Sequence, residues 1–208
     1  ANMIVSISKV MKNDLDDFFD LKERERHMVI YNPHDVDGIK GRTQDDPENF
    51  EFDPEKKYII SVGRLVERKR VDLTIELNPY VHFLGHISNP FPFLSQADVF
   101  VLASTDEGLP NIIIESMISG TAVISSDCKS GPRETLSPSS DINIYLKDEI
   151  EVAEYGILFP VLDAERLAEA LTLMLENEDL RMEYVEKGLQ RAEDFRSSRV
   201  ARAYMKTF

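Results

Sequence analysis

The sequence predicts a doubly wound α/β fold built on a parallel sheet, and three observations predict it. Short β-branched runs alternate with longer stretches of helical periodicity. The runs are apolar throughout, as strands covered on both faces must be. Most of them end in Gly, Asn-Pro or Ser/Asp-rich turns.

The elements follow in order. Met3–Ile7 reads as a strand. Lys9 to about Asp20 reads as an amphipathic helix with Val10, Met11, Leu15, Phe18 and Phe19 on one face. Met28–Tyr31 is a second strand, stopped by Asn32-Pro33. Residues 40–56 are polar and acidic and read as a linker or long loop. Tyr58–Val62, Tyr80–Leu84, Val99–Leu102, Ala122–Ile124 and Ile157–Phe159 read as further strands, with a helix beginning at Val71 and another over Asn111–Ser119, ended by Gly120. Asp163 to about Met205 reads as helical, with breaks near Asn177 and Gly188. The Phe and Met residues read as core.

The 208 residues suffice for one domain, or one domain plus a piece of another, and 42% hydrophobic with 30% charged residues places the chain among globular proteins. The lone Cys128 excludes an internal disulfide, favours a reducing compartment, and reads as packing and not as a nucleophile. A net charge of −14 argues against nucleic acid and anionic membrane as bulk partners, so an anionic ligand would need a local basic site. No signal peptide or membrane-length apolar run is visible, and Ala1-Asn2 reads as a remnant ahead of a start Met. Cytoplasmic placement is expected, with at most peripheral contact with the inner face of a membrane.

In doubly wound sheets ligands bind beyond the carboxyl ends of the strands, so the residues just after each strand carry the chemistry. After the strand at Tyr58 come Gly63, Arg64 and Lys69. A glycine there admits close backbone approach, and two cations can grip two phosphates; a solvated basic turn is the alternative. After Val99–Leu102 comes Ser104-Thr105-Asp106-Glu107-Gly108-Leu109-Pro110-Asn111, running into a helix that carries Glu115. Helix N-termini favour phosphate. Glu107 and Glu115 are poor phosphate ligands but good acceptors from sugar hydroxyls. Glu115 lies on an almost wholly apolar helix and needs a partner. After Ala122–Ile124 comes Ser126–Glu134, with Pro132 suited to a first helical position.

This order resembles the carboxyl-terminal domain of glycosyltransferase family four: Gly63-Arg64-Leu65 with Lys69, Phe83-Leu84-Gly85, Ala97-Asp98-Val99-Phe100-Val101, Glu107 and Glu115 eight apart, and Ser130-Gly131-Pro132-Arg133-Glu134. Those are retaining enzymes of the two-Rossmann-domain GT-B architecture. The resemblance implies that Arg64 and Lys69 hold the donor diphosphate and that Glu107 faces the donor sugar. It implies that the Gly108, Leu109, Pro110 and Asn111 backbone binds sugar and phosphate, that Glu115 holds the ribose, and that residues near His86 and Ile87 border the base. The donor is expected to be a nucleoside diphosphate sugar, a UDP-sugar foremost, without cofactor or metal. The acceptor is expected to be a glycan or lipid-linked sugar.

Other candidates read more plainly. Asp14-Leu15-Asp16 and Asp35-Val36-Asp37 match Asp-x-Asp but read as solvated or turn carboxylates. His82 and His86 flank a strand end and do not read as a zinc pair. His27 and His34 read as having no partners. Arg70 stands where the family often has Gly.

Two departures stand out. Residues 1–50 read as a remnant of an acceptor domain plus linker, and residues 51–208 as the nucleotide-sugar-binding domain. Between Ile75 and Tyr80 the chain is too short and lacks a strand–helix unit that the family has; either the protein carries a deletion or the sequence lacks residues of the natural one. Alone, the chain is therefore expected to be inactive. A non-catalytic nucleotide-sugar-binding or interaction remnant and a nucleotide-sugar epimerase are the alternatives.

Overall fold

The computed structural model describes residues 3–20, 26–47, 50–76 and 80–207. Ala1-Asn2 and much of the shortened stretch before Tyr80 lie outside them. The chain forms two sheets. A parallel pair, β1 (Ile4–Ser6) and β2 (His27–Val29), flanks α1 (Lys9–Phe18). The larger sheet has the order β3-β4-β5-β7-β6, from β3 (Ile59–Ile60), β4 (Val99–Leu102), β5 (Ala122–Ser126), β6 (Glu151–Val152) and β7 (Ile157–Phe159). Every pairing in it is parallel except β6 with β7.

Alternate residues of β4 feed two cores, which is the physical meaning of an uninterrupted apolar strand. Phe100 and Leu102 join Val123 and Leu158 with Ile113, Ile114, Met117 and Ile118 of α5 (Asn111–Ile118). Val99 and Val101 join Ile124, Ile157 and Phe159 with Leu167, Leu171 and Met174 of α7 (Ala164–Glu176). Helices on both faces make the fold doubly wound, as expected. The long helix α8 (Glu178–Ala192) packs on α5 through Gly188, where a Cβ would lie 3.2 Å from the Met117 side chain.

That close approach corrects one expectation: Gly188 is inside α8 and breaks nothing. The helical breaks fall at Asn177, which caps α8 by accepting from Leu180 N, and at the 3-10 turn Glu193–Phe195 before α9 (Ser197–Thr207). Residues 40–56 are not all linker. Asp35 caps a helix, α2 (Val36–Arg42), whose Val36 and Ile39 enter the α5 core. Pro90 opens a short helix, α4 (Phe91–Gln96), that joins it.

The expected strand Tyr80–Leu84 is not one. It lies exposed without ladder bonds, Tyr80 at 85% and Phe83 at 66%. β3 occupies the sheet's edge and pairs with β4 on one side, and the run 80–84 does not extend the sheet beyond it. With one neighbour, β3 is two residues long where five were expected. Phe18 and Phe19 are exposed and stack edge-on against each other at 4.9 Å, and Phe83, Met182 and Met205 are exposed as well, so these residues are not core. α3 (Val71–Glu76) and α6 (Pro132–Leu136) start where the sequence placed them.

Candidate functional site

The loops after β3, β4 and β5 lie side by side. Thr105 N donates to Arg68 O at 2.8 Å, Asp106 bridges Lys129, and Glu107 N reaches Lys129 O at 3.4 Å. Ser130 Oγ donates to Gly108 O at 2.7 Å. At Gly131, with φ +91°, a Cβ would lie 2.4 Å from Pro110 Cδ and 2.9 Å from Gly108 O. Only glycine lets these two loops touch.

Lys69 ends a 3-10 turn, Glu67–Lys69, which Arg70 closes at φ +44°. Glycine fits that left-handed turn without a Cβ penalty, so the departure at Arg70 has a backbone cost. Lys69 Nζ reaches Glu107 Oε1 at 2.5 Å, both side chains largely covered, and Ser104 Oγ donates to the same oxygen at 2.7 Å. The fold thus joins Lys69 and Glu107, 38 residues apart. Arg64 stands exposed and forms no ion pair among the described residues. Gly63 lies against the Lys69 stem, where a Cβ would sit 3.8 Å away. That is ordinary contact, so close packing inside the chain does not require the glycine.

Beyond Glu107 the chain turns at Gly108 and buries Leu109 and Pro110. It then opens α5 with no side-chain cap on its first amides. Asn111 Oδ1 accepts from Asn32 Nδ2 at 2.9 Å. The Glu115 carboxyl accepts no hydrogen bond among the described residues; burial pushes it above the usual range, and Arg42 nearby opposes that. Asn89 Nδ2 holds Arg42 O at 3.2 Å and Asp45 Oδ2 at 2.8 Å. Asn89, Asp45, Asp46, Ile87 and Phe93 line a cleft of about 220 Å³. His86 is exposed, and among the described residues no contact ties it to the site. His82 lies edge-on to Phe50 at 5.6 Å.

The amino-terminal segment closes one side. Ile7 and Met11 approach Gly108, and Ser8 Oγ lies 2.8 Å from Ser130 Oγ. The buried Glu134 carboxylate accepts from Lys9 N at 2.7 Å and Val10 N at 3.1 Å, capping α1. The contacts of Ser8, Lys9 and Val10 span more than a hundred residues and left no sequence signal.

Several plain readings change. His27 is buried between Asp16 Oδ1 and Ser6 Oγ, each 2.7 Å away, and Asp16 also takes Lys12. Asp16 is therefore not solvated and His27 not alone: β1, α1 and β2 bring together groups 11 and 21 residues apart. His34 is buried with Nδ1 at 3.2 Å from Asn32 O. Asp14 meets Lys129, Asp35 is a helix cap, and Asp37 meets Arg196, as surface and turn carboxylates do. Burial pushes the Cys128 thiol up to about 12, which makes it inert packing. Among the described residues no helix is long and apolar enough to cross a membrane.

Comparison with known proteins bears on this geometry. The family model for Glycosyl transferases group 1 matches residues 56–177. An uncharacterized glycosyltransferase of Methanocaldococcus jannaschii is 38% identical over 163 residues, 68% of this chain and 39% of its own length. The N-acetylgalactosamine-N,N'-diacetylbacillosaminyl-diphospho-undecaprenol 4-alpha-N-acetylgalactosaminyltransferase of Campylobacter jejuni is 27% identical over 237 aligned positions, 99% of this chain and 60% of its own. An alignment of 237 positions with 208 residues leaves at least 29 (237 − 208) with no residue of this chain opposite. Among solved structures, Anabaena HepE in complex with UDP superposes with a TM-score of 0.80 at 15% identity, over 100% of this chain and 63% of that one. A glycosyltransferase from Rickettsia africae gives 0.79 at 15% identity, over 99% and 62%. The chain thus spans less than two thirds of each of these proteins, its sheet has the fold of GT-B glycosyltransferase structures, and it belongs to the group 1 glycosyltransferases.

Proposed function

We propose that this chain binds a nucleoside diphosphate sugar, a UDP-sugar foremost, and that the full-length protein transfers its hexosyl group with retention to a glycan or lipid-linked acceptor. The observation that carries the reading is the meeting of Lys69 and Glu107 beside the uncapped amides of α5. A cation, a carboxylate and a helix N-terminus at one strand edge suit a ligand that is anionic at one end and rich in hydroxyls at the other. HepE complexed with UDP, and relatives named for undecaprenol-linked acceptors, favour the same classes.

Each residue then has a task. Arg64 and Lys69 take the diphosphate, and the amides from Gly108 to Asn111 take phosphate and sugar. Glu115 takes the ribose hydroxyls, and Ile87 borders the base. Leaving-group charge grows on the diphosphate as the glycosidic bond breaks, and the fixed cations and amides stabilise it there. Residues 51–208 act as the donor-binding domain, and the segment before them as what remains of the acceptor side. A block missing between Ile75 and Tyr80 would account for alignment positions that have no residue of this chain opposite.

Calorimetry with UDP and a panel of UDP-sugars tests the reading. Arg64→Ala and Lys69→Ala should each weaken UDP and its conjugates alike, by about 1.5–3 kcal/mol, tenfold or more. Affinity should survive chelation of divalent ions. A chain that binds neither ligand, or an Arg64→Ala variant that binds both as before, overturns the assignment.

A further inference from the structure

We propose that Glu107 guards the diphosphate site by occupying Lys69, and that Ser104 is the residue that positions Glu107 for the sugar. The inference rests on the donor-site reading above and adds an order of events to it.

Glu107 is held by one oxygen only. Oε1 accepts both Lys69 Nζ, at 2.5 Å, and Ser104 Oγ, at 2.7 Å. No hydrogen bond reaches Oε2 among the described residues. The pair is largely withdrawn from water, with 15% of the Lys69 side chain and 10% of the Glu107 side chain exposed. Its attraction is therefore screened less than that of a surface pair. Lys69 is thus not a free cation awaiting phosphate, because the carboxylate meant for the sugar already neutralises it.

Ser104 differs from Lys69 in being immobile. It is fully buried two residues after β4, and its carbonyl accepts from Ser126 Oγ at 2.5 Å on the neighbouring strand β5. Lys69 reaches in on a flexible stem from a 3-10 turn. A diphosphate arriving between them can draw the ammonium toward itself. It cannot draw Ser104. The hydroxyl then keeps the carboxylate in place when its cation leaves, with Oε2 open to a sugar hydroxyl. A bare diphosphate loses affinity to this arrangement, since it must displace Glu107 and leave that charge uncompensated. A sugar conjugate supplies the hydroxyl that replaces the lost partner. The site therefore discriminates in favour of the loaded donor over its own leaving group.

Calorimetry with UDP and with the UDP-sugar that binds the unmutated chain is the test. Glu107→Gln should bind bare UDP about tenfold more tightly than the unmutated chain, and the gain should disappear in the Lys69→Met background, as a double-mutant cycle would show. Ser104→Ala should bring the ratio of conjugate to bare-UDP affinity toward one, and Ser104→Thr, which keeps the hydroxyl, should restore it. A purely structural role for Ser104 would lower both affinities together and leave the ratio unmoved. Melting curves for each variant show that it is folded. Glu107→Gln binding UDP no better than the unmutated chain, or Ser104→Ala keeping the ratio, overturns the inference even where Lys69→Ala weakens both ligands and the donor-site reading stands. Failure of the unmutated chain to bind either ligand overturns both.

Discussion

Glu115 carries a burial cost that its proposed ribose contact would explain. Burial on α5 favours its neutral form, against the pull of Arg42, so the folded chain holds that proton more tightly than the unfolded chain. Stability from this group is complete below the ordinary carboxylate range and is lost as pH rises through the raised folded value. Glu115→Gln removes the titration. The variant should melt higher than the parent at neutral pH, by up to roughly 4 °C, and the difference should shrink as pH falls toward about 4. Nucleotide affinity should fall in the same variant. Melting curves across pH check the first outcome and calorimetry the second; a difference in Tm independent of pH would show that the carboxyl is not strained by burial. Glu107 and Glu115 could be singled out in the sequence as candidates because both lie on one strand–loop–helix unit, where spacing survives folding. Ser104 lies in the same unit, yet nothing local distinguishes a serine that holds a carboxylate from one that ends a strand. Its role appears only when Lys69 arrives from another loop.

At the scale of elements, the apolar strands were legible because each owes its pattern to burial on both faces: β4 and β7 have the boundaries expected. What pattern cannot report is whether a strand has a neighbour. Tyr80–Leu84 has strand composition and no place in a ladder. Backbone amides there should exchange with solvent within seconds to minutes, while those of β4 and β5 are protected by the ladders on both sides. Hydrogen exchange followed by mass spectrometry checks this, and slow exchange over 80–84 would mean that the edge is paired in solution. α1 raises the complementary case of a helix whose end is completed from afar. Ser8 caps Met11 N, and Glu134 takes the two preceding amides. Glu134→Ala removes both of those bonds and should cost about 2–4 kcal/mol of stability, read as a lower urea midpoint. Glu134→Gln retains an acceptor and should recover part of the loss. Equal midpoints for Glu134→Ala and the unmutated chain would mean that α1 is docked by other contacts.

At the scale of the molecule, the two ends of the site have unequal support. The proposed donor side is made by three loops that follow neighbouring strands of the large sheet, with Gly131 letting two of them touch. Against it, among the described residues, pack β1, α1 and β2, a two-stranded sheet and helix that hold their own buried His27–Asp16 pair. A group transferred from a nucleotide sugar needs an acceptor hydroxyl aligned with the breaking bond, and alignment accounts for a large part of rate enhancement. The relatives devote about 40% or more of their length to sequence that this chain does not match. The chain alone should therefore bind a donor and transfer nothing. Incubated with UDP-sugar and a lipid-linked or soluble glycan acceptor, it should release UDP no faster with acceptor than without. Slow, acceptor-independent hydrolysis is compatible with a donor site open to water, because water needs no docking surface. Sustained UDP release that rises with acceptor concentration would show that β1, α1 and β2 already form an acceptor site, and the division of labour drawn here between residues 1–50 and 51–208 would have to be redrawn.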